Sequence, residues 1–192
     1  MKSLLLSFSL LFLSVFVYAT NVEPGNKKIN VTQSNIGWKG YKFTKSHEGT
    51  LKFKSGNLEF KGNQLVGGEM VVDMTTLTNT DMAAGSGKEK LEGHLKSEDF
   101  FGVEKYPTAS IKFTKVTANG KAGEYQITAN VTIKNKTKEI KFTANVKDGN
   151  ANAVLKLDRS DFDVRFGSGK FFDNLGDKAI SDEFDLNVSM KY

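Results

Sequence analysis

The chain has 192 residues, 27 of them basic and 22 acidic, and no cysteine, which suits one domain with a core of its own. The missing cysteines exclude disulfide staples, thiol catalysis, thiolate-bound zinc, iron–sulfur clusters and a Cys-borne lipid anchor. Arg159 and Arg165 are the only arginines, and lysines alternate with apolar residues, as in Leu51-Lys52-Phe53-Lys54. That pattern describes a wetted sheet face rather than the clustered guanidinium forks of a nucleic-acid reader, so no nucleic-acid partner is expected.

Met1–Ala19 carries a positive residue at Lys2, an apolar run over Leu4–Val17 and the small-residue site Val17-Tyr18-Ala19, the three parts of a cleaved export signal. The run is shorter than the roughly 20 residues of a membrane span. Cleavage after Ala19, export to the periplasm and a single domain over residues 20–192 are therefore expected.

From Ile29 onward the dominant period is two. Leu51/Phe53, Met70/Val72/Met74, Ile111/Phe113, Tyr125/Ile127/Ala129/Val131/Ile133, Ile140/Phe142/Ala144/Val146, Phe162/Val164/Phe166 and Phe184/Leu186/Val188/Met190 alternate with polar residues, the signature of antiparallel strands with one apolar face. Ser55-Gly56-Asn57, Lys61-Gly62-Asn63, Ala118-Asn119-Gly120, Lys134-Asn135-Lys136 and Lys147-Asp148-Gly149-Asn150 read as turns between them. Near Trp38 the parity breaks, which predicts a bulge around Gly40. One segment differs. Leu91 and Leu95 share a helical face within Lys88–Lys96, so a helix that buries both is predicted there, with Ser97 and Pro107 closing the segment.

The fold class expected is all-β, an antiparallel barrel of about eight strands with one helix on its rim, because closure removes exposed sheet edges. A barrel of this size is either filled by side chains or holds one small ligand. The inward candidates are Trp38, Phe43, Phe53, Phe60, Met70, Val72, Phe113, Ile127, Val131 and Phe142, joined by Leu91, His94 and Leu95 from the helix. For His94 a hydrogen bond to the barrel rim is the simpler role and contact with a ligand head group the other. With two histidines, His47 and His94, and no His-x-x-x-His spacing, neither a metal site nor a cofactor nor a catalytic triad is expected. Acid pairs such as Asp161/Asp163 and Asp182/Glu183 read as solvated charge.

The segment Lys90-Leu91-Glu92-Gly93-His94-Leu95-Lys96-Ser97-Glu98-Asp99-Phe100-Phe101, followed by Tyr106-Pro107-Thr108-Ala109, strongly resembles the signature of the YceI-like family. Trp38, His47-x-Gly49, Val72-Asp73-Met74, Val131–Thr137 and Asp158-Arg159-Ser160-Asp161-Phe162 stand in the matching order, so the resemblance spans Lys28–Tyr192. It implies a periplasmic, lipocalin-like barrel around a long apolar molecule: a polyisoprenoid, an isoprenoid quinone or a fatty-acid-derived lipid. Asn135 departs from the glycine of many relatives, and Phe166–Lys178 resembles a subgroup elaboration able to reshape the mouth. Transient contact with a membrane surface and a homodimer are further options. Two readings of other classes stand beside the carrier: a small outer-membrane barrel, since alternation is equally true of strands apolar on the outside, and a periplasmic enzyme acting on a lipid or quinone.

Overall fold

The computed structural model describes residues 25–43 and 45–192; the segment Met1–Ala19, expected to be an export signal, lies outside them. Among the described residues nine strands form one antiparallel sheet: β1 (Gly25–Lys28), β2 (Asn35–Lys42), β3 (Lys45–Lys61), β4 (Gln64–Asn79), β5 (Thr108–Ala118), β6 (Glu124–Ile133), β7 (Lys136–Lys147), β8 (Asn150–Asp158) and β9 (Ile180–Lys191). The order β2-β9-β8-β7-β6-β5-β4-β3 closes on itself through the β2–β3 ladder, so eight strands make the barrel. The short β1 stays outside the ring and takes the β3 edge at Asn57–Phe60, beyond the reach of β2.

The period-two signal is clearest in β6, where Tyr125, Ile127, Ala129, Val131 and Ile133 are buried and Gln126 and Asn130 are exposed. On β7 the lysines at 136, 138, 141 and 147 are exposed while Ala144 and Val146 are buried. An apolar lumen and a lysine-bearing outside are the reverse of an outer-membrane barrel, whose lipid-facing band is apolar. That alternative is set aside by the direction in which the side chains point.

The hairpins use the expected chemistry. Lys134 and Asn135 have φ of 49° and 57°, and Asp148 and Gly149 have 52° and 74°, the positive-φ pairs of tight two-residue turns. Asn135 thus fills its glycine-like position without strain. Ser55-Gly56-Asn57, expected as a turn, lies inside the 17-residue β3. The β3–β4 register slips there, between Phe53 and Ser55. A bulge adds one residue and turns the chain over, so inward parity passes from Phe53 to Leu58 and Phe60. Gly56 has no room for more: a Cβ would come within 2.7 Å of Met70 Cγ. On β4 a second irregularity follows Asp73, whose carboxylate accepts from Thr75 N (3.0 Å) and whose carbonyl accepts from Thr76 Oγ1 (2.6 Å). The inward series Met70, Val72, Met74 then changes parity to Leu77. The bulge expected near Gly40 occurs between Gly40 and Lys42 on the β9 side.

The helix α1 spans Lys88–Lys96, as expected, and Ser97 closes it by donating its N–H to the Gly93 and His94 carbonyls. Its Glu92 accepts from Asn79 N at 2.7 Å, which holds the helix over the end of β4. Leu91 and Leu95 are only half-buried, a correction to the expected full burial: they face an open interior rather than a packed layer.

The barrel is not laced uniformly. β7 and β8 pair only through Ala144–Lys147 and Asn150–Ala153, and their other halves splay apart. The wedge is filled by Phe162, 1% exposed, which packs with Val131, Ile133 and Leu157. Phe162 sits on a short 3₁₀ turn, Arg159–Phe162, started by Asp158, whose carboxylate accepts from Ser160 N at 2.9 Å. This corrects the strand expected from Phe162/Val164/Phe166, since Asp163 turns left-handed at φ 60° and the chain leaves the sheet there.

Candidate lipid-binding cavity

The two ends of the barrel are built differently. At one end Phe60 stacks on Tyr192 with centroids 5.3 Å apart, and the Lys27 ammonium lies 4.8 Å and 5.1 Å from the two ring centres. Tyr125 reaches across to accept from Leu65 N at 3.3 Å. This end is shut.

Above it the lumen is under-filled. A cavity of about 620 Å³ runs from Leu58, Met70, Val146 and Met190 up to α1 and the loop 163–179, within the range of pockets that enclose small ligands. Its room comes from small residues on its wall, Ala109, Ala144, Ala151 and Ala153, placed among larger ones. Of the residues expected to line it, Trp38, Phe53, Met70, Val72, Leu91, His94, Leu95, Phe113, Ile127, Val131 and Phe142 do so. Phe43 does not. It stands at the β2–β3 hairpin with 82% of its surface exposed, because it lies five residues beyond the inward Trp38 on a strand that keeps regular register with β3 through Lys42, which leaves it on the outward parity. Phe60 is buried but belongs to the closed end instead of the lumen.

Alternation alone could have nominated Leu186 and Val188, which also line the cavity. Phe101, Phe166 and Arg159 line it too, but they arrive from loops whose placement no local period reports. Arg159 is 3% exposed. It donates to the carbonyls of Val164 (2.8 Å), Phe166 (2.9 Å), Ile180 (3.0 Å) and Ser181 (2.9 Å), and lies 3.3 Å from the Asp182 carboxylate. Burial lowers its pKa, an effect that Asp182 and Asp158 oppose. One side chain thereby ties the 163–179 loop to the start of β9.

His94 makes aromatic contacts. Its ring meets Phe166 edge-on at 4.4 Å and Phe100 at 5.8 Å, and no hydrogen bond to the rim is formed by its ring among the described residues, which corrects that expectation. His47 at the mouth has its Nδ1 2.9 Å from Asp81 Oδ2. Burial alone would raise the Asp81 pKa, but the Glu48 N–H, His47 and the Asn79 amide hold it below the ordinary value. Among the described residues the charged side chains along the cavity are Lys42, Lys45, Arg159 and Lys178, and none of those lining it is a carboxylate. No group of three metal-ligating side chains occurs among the described residues. The site offers a long apolar tunnel, closed below, with cations at its opening.

The model of the YceI-like domain family matches residues 28–192. No curated protein matches the sequence. Among solved structures, BcnA of Burkholderia cenocepacia is similar at a TM-score of 0.66 and 19% identity, covering 84% of this chain and 98% of that one. A polyisoprenoid-binding domain from Saccharophagus degradans, implicated in plant cell wall breakdown, superposes with a TM-score of 0.56 at 13% identity, over 85% of this chain and 95% of its own. A YceI protein of Campylobacter jejuni gives 0.52 at 16% identity, over 100% and 98%. At these identities the likeness is one of fold.

Proposed function

The chain belongs to the YceI-like family, and from that premise we propose that it is a periplasmic carrier holding the tail of one long apolar lipid in the barrel lumen. The observation that carries the reading is the under-filled apolar cavity of about 620 Å³, shut at one end and cationic at the other. An interior of this kind loses packing contacts when empty and regains them when a chain fills it. Burial of each methylene contributes roughly 0.8 kcal/mol, so a tail is the part of a ligand that this lumen rewards. A polyisoprenoid, an isoprenoid quinone or a fatty-acid-derived lipid fits that requirement, and the first is supported by the Saccharophagus domain. The periplasmic setting rests on the leader in Met1–Ala19.

The test is native mass spectrometry of protein exported and purified without detergent, followed by organic extraction of whatever it carries. A retained lipid and an intact mass beginning at Thr20 are expected. Protein that is lipid-free as isolated, and that takes up no member of an acyl or isoprenoid series, would overturn the carrier reading.

A further inference from the structure

Among the described residues six large apolar side chains are substantially exposed, and four of them stand at the open end of the barrel: Phe43 (82%), Phe166 (44%), Phe171 (41%) and Phe172 (51%). They come from two loops that the fold joins. Lys42 pairs with Ile180 across β2 and β9, and Ile180 N donates to the Gly167 carbonyl at 2.8 Å. The β2–β3 hairpin and the 163–179 loop therefore flank one opening. The cavity reaches the surface between them, along Lys42, Lys45 and Lys178.

We propose that this end is a docking surface for an anionic lipid bilayer, with Phe43, Phe171 and Phe172 entering the head-group layer and Lys42, Lys45 and Lys178 facing the lipid phosphates. Aromatic residues on separate loop tips, divided by a lysine-lined opening, do not make the continuous flat face that a protein interface packs. They suit a soft boundary, where rings settle at head-group depth and lysines contribute attraction to acidic lipids.

Charge at this end is finely set. Lys170 bonds the Asp158 carboxylate and Arg165 pairs with Asp163, whereas Lys42, Lys45 and Lys178 form no ion pair among the described residues. The opposing carboxylates on the loop are Asp173 and Asp177. A small cationic excess gives weak, reversible, salt-sensitive attachment. Docking in this pose sets the opening of the cavity against the bilayer, so a tail can pass between them without crossing water. None of Phe43, Phe171 and Phe172 lines the lumen, so these three rings can be changed without touching the lipid-holding wall.

The experiment is co-sedimentation of the exported protein with vesicles of phosphatidylcholine alone and of phosphatidylcholine mixed with phosphatidylglycerol, at about 0.03 M and 0.5 M salt. Binding is expected to the mixed vesicles at low salt and is lost at high salt. The triple variant Phe43→Ser, Phe171→Ser, Phe172→Ser should lose about tenfold or more of that partitioning, with its melting curve and retained lipid unchanged. A triple variant that sediments like the parent overturns the proposal. So does equal binding to both vesicle types at both salts, or a parent that is dimeric in solution while the triple variant is monomeric, which would assign the patch to a second copy. Retained lipid is read in the same samples, so failure of the carrier reading is seen apart from failure of docking.

Discussion

Trp38 lies against Gly49 so closely that a Cβ there would come within 2.7 Å of the Trp38 Cζ2 atom and 1.8 Å of the Thr78 carbonyl oxygen. That same oxygen accepts from the Trp38 indole Nε1 at 3.1 Å. Glycine at this position is a steric requirement of the β2–β3–β4 junction, where Trp38 pairs with Gly49 and Gly49 with Asn79. Gly49→Ala is expected to destabilise by about 1–3 kcal/mol or more, the usual cost of forced overpacking. A fall in the urea midpoint at constant slope reads it; an unchanged midpoint would mean that the junction yields.

Phe162 is expected to be the dominant brace between β7 and β8. Phe162→Ala should cost about 3–5 kcal/mol and increase hydrogen exchange along Lys136–Thr143. Loss of less than about 1 kcal/mol would show that the splayed strands hold without it.

Filling the lumen should compete with the ligand. Ala144 is buried and lines the cavity, so Ala144→Phe is expected to lower retained lipid with little loss of stability. In the parent, affinity should rise about fourfold per added methylene and level off once the lumen is full. In the variant the plateau should come at shorter chains. Identical plateaus would place the tail elsewhere.

Arg159→Met removes donors from four carbonyls and leaves Asp182 without its cation. A loss of about 3–5 kcal/mol is expected, with faster proteolysis within residues 163–179. Because lysine cannot fork, Arg159→Lys should recover little of this. Full rescue by lysine would mean that charge alone holds the loop.

The Asp158–Lys170 ion pair contributes to pH stability at both ends of the range. Burial alone would raise the Asp158 pKa, but bonds from Lys170 and Ser160 lower it, and Asp158 in turn raises Lys170. The depressed Asp158 contributes stability that is present above the unfolded value of about 3.9 and is lost as pH falls through its lower folded value. The raised Lys170 contributes stability that is present below about 10.4 and lost as pH rises past its folded value. Asp158→Asn should flatten the acid limb of urea midpoint against pH, and an unaltered acid limb would remove the pair from the account.

Much of the fold is legible in local pattern. The five inward positions of β6, the bounds of α1 and the positive-φ hairpins at Asn135 and Gly149 follow from period and turn chemistry, because each depends on residues a few places apart. Most of the cavity wall was legible for the same reason: inward parity nominates Phe53, Val72, Ile127 and Phe142 without knowledge of their neighbours. What escaped local reading depends on how strands meet across the sheet. The irregularities in β3 and β4 exchange inward and outward faces, so Ser55-Gly56-Asn57 continues a strand, whereas β2 keeps regular register with β3 and leaves Phe43 on the outward face. The position of Arg159 under the 163–179 loop and of Phe162 in the β7–β8 wedge, and the empty volume itself, exist only once eight strands have closed. Alternation determines which side chains share a face; only closure, with its registers, decides whether that face encloses a packed core or a space for a lipid.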